Sequence, residues 1–178
     1  VNRWSTRTLI TVAALAASQA VIAIALAPLT AIAAAVHPAL YALLAPALSL
    51  AVMIGVWRRM PPGTITLIGV MAGLLAMPFQ AAGILSVLAF ALPAAASDVA
   101  LRVHPPGRAG SRWSAIVVGQ VVAFAQGLIV FSLEDLVWWT LLAAAMARAV
   151  SAFVIALAAR RAASLLGDRD RHAVDTEL

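Results

Sequence analysis

Charged residues divide the chain into long apolar runs, and the lengths of those runs predict the elements. No charged side chain occurs from Thr8 to Trp57, a run of 50 residues. As one helix it would extend roughly 75 Å, against a hydrocarbon core of about 30 Å, so it folds back on itself. Pro28 and the His37-Pro38 pair bracket the expected turn, because proline disrupts a helix and biases the residue before it away from helical geometry. The uncharged run from Met60 to Ser97 is again too long for one span, and Pro78-Phe79-Gln80 with Gly83 supplies its break. A fifth span fits Trp113 to Ser132, and a sixth runs from Leu136 to about Ala159, interrupted only by Arg148. The expected fold is therefore all-α: a polytopic integral membrane protein of six transmembrane helices over residues 1–166. A polar cytoplasmic tail, solvated and frayed, is expected over residues 167–178.

Charge placement supports that count. With six spans, the N-terminus, the loops 2–3 and 4–5 and the C-terminus share one side. They hold Arg3, Arg7, Arg58, Arg59, Arg102, Arg108, Arg112, Arg160, Arg161, Arg169 and Arg171, eleven of the twelve arginines. The other three loops carry no basic residue, and the last holds Glu134 and Asp135. The positive-inside rule then places both termini in the cytoplasm and the chain in the cell membrane. Arg3, Arg7, the apolar stretch from Leu9 and Ser18-Gln19-Ala20 also resemble a signal peptide. The apolar run continues past Ala20 far enough for a full span, so a retained first helix is expected.

Composition agrees with a bilayer setting. Of 178 residues, 64% are hydrophobic and 11% charged, and 43 are alanine; a soluble domain carries about 25% charged residues. With no cysteine and no lysine, thiolate metal sites, cysteine nucleophiles, Schiff-base lysines and the P-loop lysine are excluded. The arginines occur in small groups without interleaved aromatics, which reads as topology and not as a nucleic-acid stripe. His37, His104 and His172 are far apart, without metal-ligand spacing, and no acidic pair sits within a span. No enzyme activity and no cofactor are expected.

Charges inside spans are costly and therefore informative. Arg148 lies near mid-membrane, roughly 18 Å from the outer end of the sixth helix. It is either an anchor for an anionic or carbonyl-bearing ligand or the partner of Asp98 from the fourth helix. Asp98 could instead pair with Arg102 at i,i+4. Gln120 and Gln126 on the fifth helix point about 120° apart. Gln126 is expected to face an outward-open cavity and Gln120 to make an interhelical hydrogen bond. Gln80 lies in the outer 3–4 turn, Ser18 and Gln19 on the first helix. Trp138 and Trp139 read first as an interfacial aromatic belt, and alternatively as a stacking surface for a flat ligand. The first helix carries Ala13-x-x-x-Ala17 and Ala16-x-x-x-Ala20, continuing to Ala23 and Ala27, a spacing that permits close helix packing.

These features resemble the membrane-embedded S component of energy-coupling factor (ECF) vitamin importers. The middle of the chain carries most of the likeness. It consists of His37-Pro38-Ala39-Leu40-Tyr41-Ala42-Leu43-Leu44-Ala45-Pro46, an arginine turn, the stretch from Gly63-Thr64-Ile65-Thr66 to Gly73-Leu74-Leu75, and Ala95-Ala96-Ser97-Asp98. This is similar to the MptE-like (Trep_Strep) group, in which an acidic residue ends the fourth helix. The resemblance implies capture of a vitamin or related micronutrient at the outer face. It also implies association with an ECF transmembrane coupling subunit and two ATPase subunits, and toppling of the S component in the bilayer, driven by ATP hydrolysis in those subunits. On it, Ala13 and Ala17 correspond to alanines that contact the coupling subunit. Gln80, Gln126, Glu134, Trp138 and Arg148 are candidate substrate-binding residues, chosen by depth and polarity. Two other readings stand beside it: a structural or assembly subunit whose polar residues are all interhelical, and a stand-alone carrier, which would show a mid-membrane acid and broken helices.

Overall fold

The computed structural model describes residues 4–103, 109–129 and 137–175, and every regular element among them is helical. In chain order these are α1 (Thr6–Val36), α2 (Pro38–Leu44), α3 (Leu50–Trp57), α4 (Thr64–Ala76), α5 (Leu85–Val103), α6 (Ala109–Leu128) and α7 (Trp138–Asp175). A 3₁₀ turn, Ala45–Ser49, joins α2 to α3, so these two form one leg. The chain is an all-α membrane protein. Among the described residues, four helical stretches are long and apolar enough to cross a bilayer: Thr6–Val36, Pro38–Trp57, Leu85–Val103 and Trp138–Leu166. The remaining two legs differ for identifiable reasons. Thr64–Phe79 is apolar but shorter, and α6 carries Arg112, Gln120 and Gln126 among its apolar residues.

The turns follow local chemistry. His37 ends α1 in an extended conformation (φ −165°, ψ 136°), and its Nδ1 accepts the Ala39 N–H at 3.1 Å, with Pro38 at the first position of α2. Pro28 corrects one expectation: it lies inside α1 and does not break it. A lone proline is tolerated in a membrane helix because neighbouring groups and small local adjustments re-satisfy the backbone group it frees. Pro78 sits in a 3₁₀ turn, Met77–Phe79, and Gly83 takes φ 54° in the connection to α5, a left-handed conformation that glycine adopts freely. At the other end of the chain, α7 continues as helix to Asp175 through the stretch expected to fray from Gly167.

The legs form an open ring. α5 packs between α4 and α6, α1 lies against α4 and the second leg, and α7 lies against α2 and α3. α3 takes the interior position, and Ala51 to Trp57 are all buried, as expected for a helix apolar on every side. Gly69-x-x-x-Gly73 sets the α4–α5 approach. A Cβ at Gly69 would lie 2.5 Å from the Phe90 carbonyl oxygen, and one at Gly73 would lie 2.6 Å from the Val87 Cα. The alanines of α1 divide by face: Ala16 and Ala20 are buried, whereas Ala13 and Ala17 are exposed.

The arginines gather at one end. Arg112 and Arg160 lie over the Trp57 ring at 5.6 and 5.5 Å. Arg59, Arg102 and Arg112 line a pocket of about 530 Å³ together with Asp98, and Arg7, Arg58 and Arg59 line another. Residues far apart in sequence thus meet at the end where an even number of crossings would bring them.

Candidate functional site

A break in the second leg makes room for a cavity. Pro46 has no N–H to donate and its ring crowds the preceding turn, so α-helical geometry gives way to the 3₁₀ turn before α3 restarts. Neighbouring legs satisfy the freed backbone. Gln19 Oε1 on α1 accepts the Ala51 N–H at 2.9 Å, and Ser151 Oγ on α7 donates to the Leu43 carbonyl at 2.6 Å. Irregular backbone at membrane depth persists where protein covers it or a cavity adjoins it.

The cavity beside this break has a volume of about 150 Å³ and is walled by the second leg, α5, α6 and one residue of α7, Arg148. Two glycines shape it. At Gly119 a Cβ would collide with Ser97 Oγ, so the absence of a side chain lets α6 reach α5. At Gly127 a Cβ would lie 3.2 Å from Cε1 of Tyr41, whose ring covers that part of the wall.

Arg148 is 5% exposed. Its Nη2 donates to Gln120 Oε1 at 2.9 Å, and its Cζ lies 5.9 Å from the Phe124 ring centroid. Its Nε is buried without a hydrogen-bond partner. Gln126 Nε2 donates to the Leu88 carbonyl at 3.3 Å, which leaves Oε1 buried and unpartnered. Two residues of the cavity wall thus each hold a buried polar atom without a hydrogen-bond partner, one a donor and one an acceptor. Gln19 Nε2, Trp57 Nε1 and Asp98 Oδ1 are also unpartnered, but none of these residues lines this cavity.

No acidic residue lines the cavity among the described residues. Asp98, the candidate counter-charge, is engaged elsewhere. Its Oδ2 accepts from the Thr66 N–H at 2.8 Å and from Thr66 Oγ1 at 2.6 Å. It caps the N-terminus of α4, where exposed N–H groups and the helix dipole favour an anion. Both expected pairings, Asp98 with Arg148 and Asp98 with Arg102 at i,i+4, give way to this capping role. Arg148 is left as a buried cation whose charge no cavity carboxylate offsets.

Of the five candidate substrate-binding residues, Gln126 and Arg148 share the cavity, while Gln80 and Trp138 do not line it. Gln80 ends the Met77–Phe79 turn, its backbone N–H donating to the Met77 carbonyl at 3.3 Å. Trp138 is 68% exposed and meets Trp139 edge-on at 5.4 Å, a position suited to an interfacial belt. Glu134 lies outside the described residues. No family model, curated protein or solved structure matches the chain.

Sequence reasoning passed over Tyr41, Phe124 and the break at Pro46. Tyr41 is the sole tyrosine of the chain, a polar tip in an apolar leg, and that was the available signal. Gln120 was expected to bond between helices and does so, yet it also lines the cavity. The chemistry on offer is recognition. A guanidinium, two carboxamides and the half-buried Tyr41 surround a small volume, and no group of three metal-ligating side chains occurs among the described residues.

Proposed function

We propose that this chain captures a small anionic solute, a vitamin or related micronutrient, and works as the S component of an ECF-type importer. The observation that carries the reading is Arg148, a buried cation at a cavity, with Nε unpartnered and no carboxylate among the described residues of the cavity wall. Burying an uncompensated charge costs several kcal/mol, on the order of what a bound anion can offset. The unpartnered Gln126 Oε1 adds an acceptor for a donor group on the same solute. By the positive-inside rule the arginine-rich end lies in the cytoplasm, so the Tyr41–Gln126 end of the cavity faces outward. Ala13, Ala14, Ala17 and Ser18 form an exposed strip of small residues on α1. Such a strip suits close packing with the coupling subunit, whose ATPase partners supply the energy.

The test is co-expression with the coupling subunit and ATPase pair of an ECF module from the same host. Wild-type chain co-purifies with them. The double variant Ala13→Trp/Ala17→Trp loses that association by about tenfold or more, while Val154→Trp, on the exposed side of α7, does not. Association indifferent to the α1 substitutions contradicts the S-component reading.

One observation favours a second reading, a carrier working alone: the second leg is broken beside the cavity, as helices often are at transport sites. It differs by requiring uptake into liposomes that contain only this chain. The assembly-subunit reading calls for polar side chains capped by their neighbours, and Arg148 Nε and Gln126 Oε1 are not.

A further inference from the structure

The ring of legs is open at one place. α5 packs closely on both α4 and α6, and the second leg on α7, but α6 and α7 share few contacts. Between them lies a groove of about 320 Å³, walled by Trp113, Val117, Val121 and Phe124 on α6 and by Ala149 and Phe153 on α7. Trp113 and Phe153 stack at 5.6 Å and 19° at the end nearest the arginines, so the groove's approach is sideways. Val117, Val121 and Phe153 are each more than half exposed, and in a membrane-spanning bundle that exposure is to lipid.

The groove and the central cavity meet at a common wall. Ile116, Gln120 and Arg148 line both. Arg148 is thus, among the described residues, the one charged group at the junction of a lipid-facing apolar slot and the central cavity, and its Nε lacks a partner. A water-soluble anion would use the cavity and leave the slot empty. A second protein helix laid in the slot would have to bring its own acid to mid-membrane depth, at high cost. An acyl chain with an acidic head satisfies both parts at once, the chain against hydrocarbon side chains and the head against the guanidinium.

We infer that the α6–α7 seam is a lateral entrance for an amphiphilic anion, whose acidic head binds Arg148 while its apolar chain occupies the groove between Trp113 and Phe124. This rests on the reading of Arg148 as the anion-binding group, and it narrows the solute to one that partitions into the bilayer.

The chain, reconstituted in phosphatidylcholine nanodiscs, is photolabelled with palmitic acid bearing a diazirine on its chain, and separately with the methyl ester of that probe. The acid labels residues 113–124 and 145–153, and the ester does so about tenfold less or weaker still. Arg148→Gln lowers labelling by the acid to the level of the ester. Ala149→Trp, which fills the groove from an exposed position on α7, does the same. Equal labelling by acid and ester, or acid label spread over the lipid-facing sides of α1 and α5, overturns the lateral entrance, and this comparison needs no variant to fold. Native mass spectrometry of the purified chain separates the two levels of the reading. A water-soluble anion retained by wild type and lost in Arg148→Gln, without acid-selective labelling, overturns the entrance and leaves capture standing. Indifference of both measurements to Arg148→Gln overturns both.

Discussion

Two charged side chains among the described residues are buried in the bundle, and their different surroundings give them different roles. Asp98 is 2% exposed, yet Thr66 supplies it with a backbone and a hydroxyl donor at the start of α4. Asp98→Ala removes this cap and is expected to destabilise the protein by about 1–2 kcal/mol. Thr66→Ser keeps the hydroxyl and should stay close to wild type. Thermal unfolding in detergent measures both, and an unchanged midpoint for Asp98→Ala would contradict the capping role. Arg148 has no such carboxylate partner among the described residues; it meets Gln120 and the Phe124 ring, and Tyr41 lies within electrostatic reach of it. That both charges were unusual was legible in the sequence, since Arg148 interrupts an apolar run and Asp98 sits toward the end of one. Their partners were not, because Thr66 and Gln120 lie 32 and 28 residues away on other helices. The 120° separation of Gln120 and Gln126 suggested different environments, but both lie at the edges of a single face of α6, with Gly119 and Ala123 between them, and that whole face lines the cavity.

At the scale of elements, the sharp turns were readable and the packing was not. His37-Pro38 and the Pro78–Gly83 stretch announce themselves through residues that stop helices or tolerate left-handed backbone. Proline alone is ambiguous, however: Pro28 stays within α1, while Pro46 accompanies a 3₁₀ break that Gln19 and Ser151 support from neighbouring legs. Those supporting groups come from distant parts of the chain, so no local rule distinguishes the two prolines. The α4–α5 contact depends on two missing side chains. Gly69→Ala and Gly73→Ala each place a Cβ within 2.6 Å of α5 backbone, and overpacking of this kind costs about 1–3 kcal/mol. Gly110→Ala meets nothing within 4 Å and serves as the control. The same unfolding assay should show both core variants melting below wild type and Gly110→Ala at or above it; parity of all three would mean that α4 and α5 are not held by this contact.

Across the whole molecule, arginines from α1, the α3–α4 turn, α5, α6 and α7 assemble at one end, while Arg148 is held in the interior beside a cavity. The first fact was written in the spacing of charges along the chain. The second needed three dimensions, because the cavity arises where a broken leg, two glycines of α6 and the loose α6–α7 seam coincide. A membrane bundle with a buried cation that no described carboxylate offsets is, on the function proposed above, the receiver of an anion, because such a charge is costly to hold as packing alone. The most direct measurement is therefore an experimental structure of the chain purified from its own membrane. The account predicts non-protein density within hydrogen-bonding range of Arg148 Nε, about 2.7–3.2 Å, continuous with the cavity beside Gln120 and Gln126. An Arg148 whose Nε is satisfied by a protein carboxylate or carbonyl, in a bundle closed around it, would contradict it.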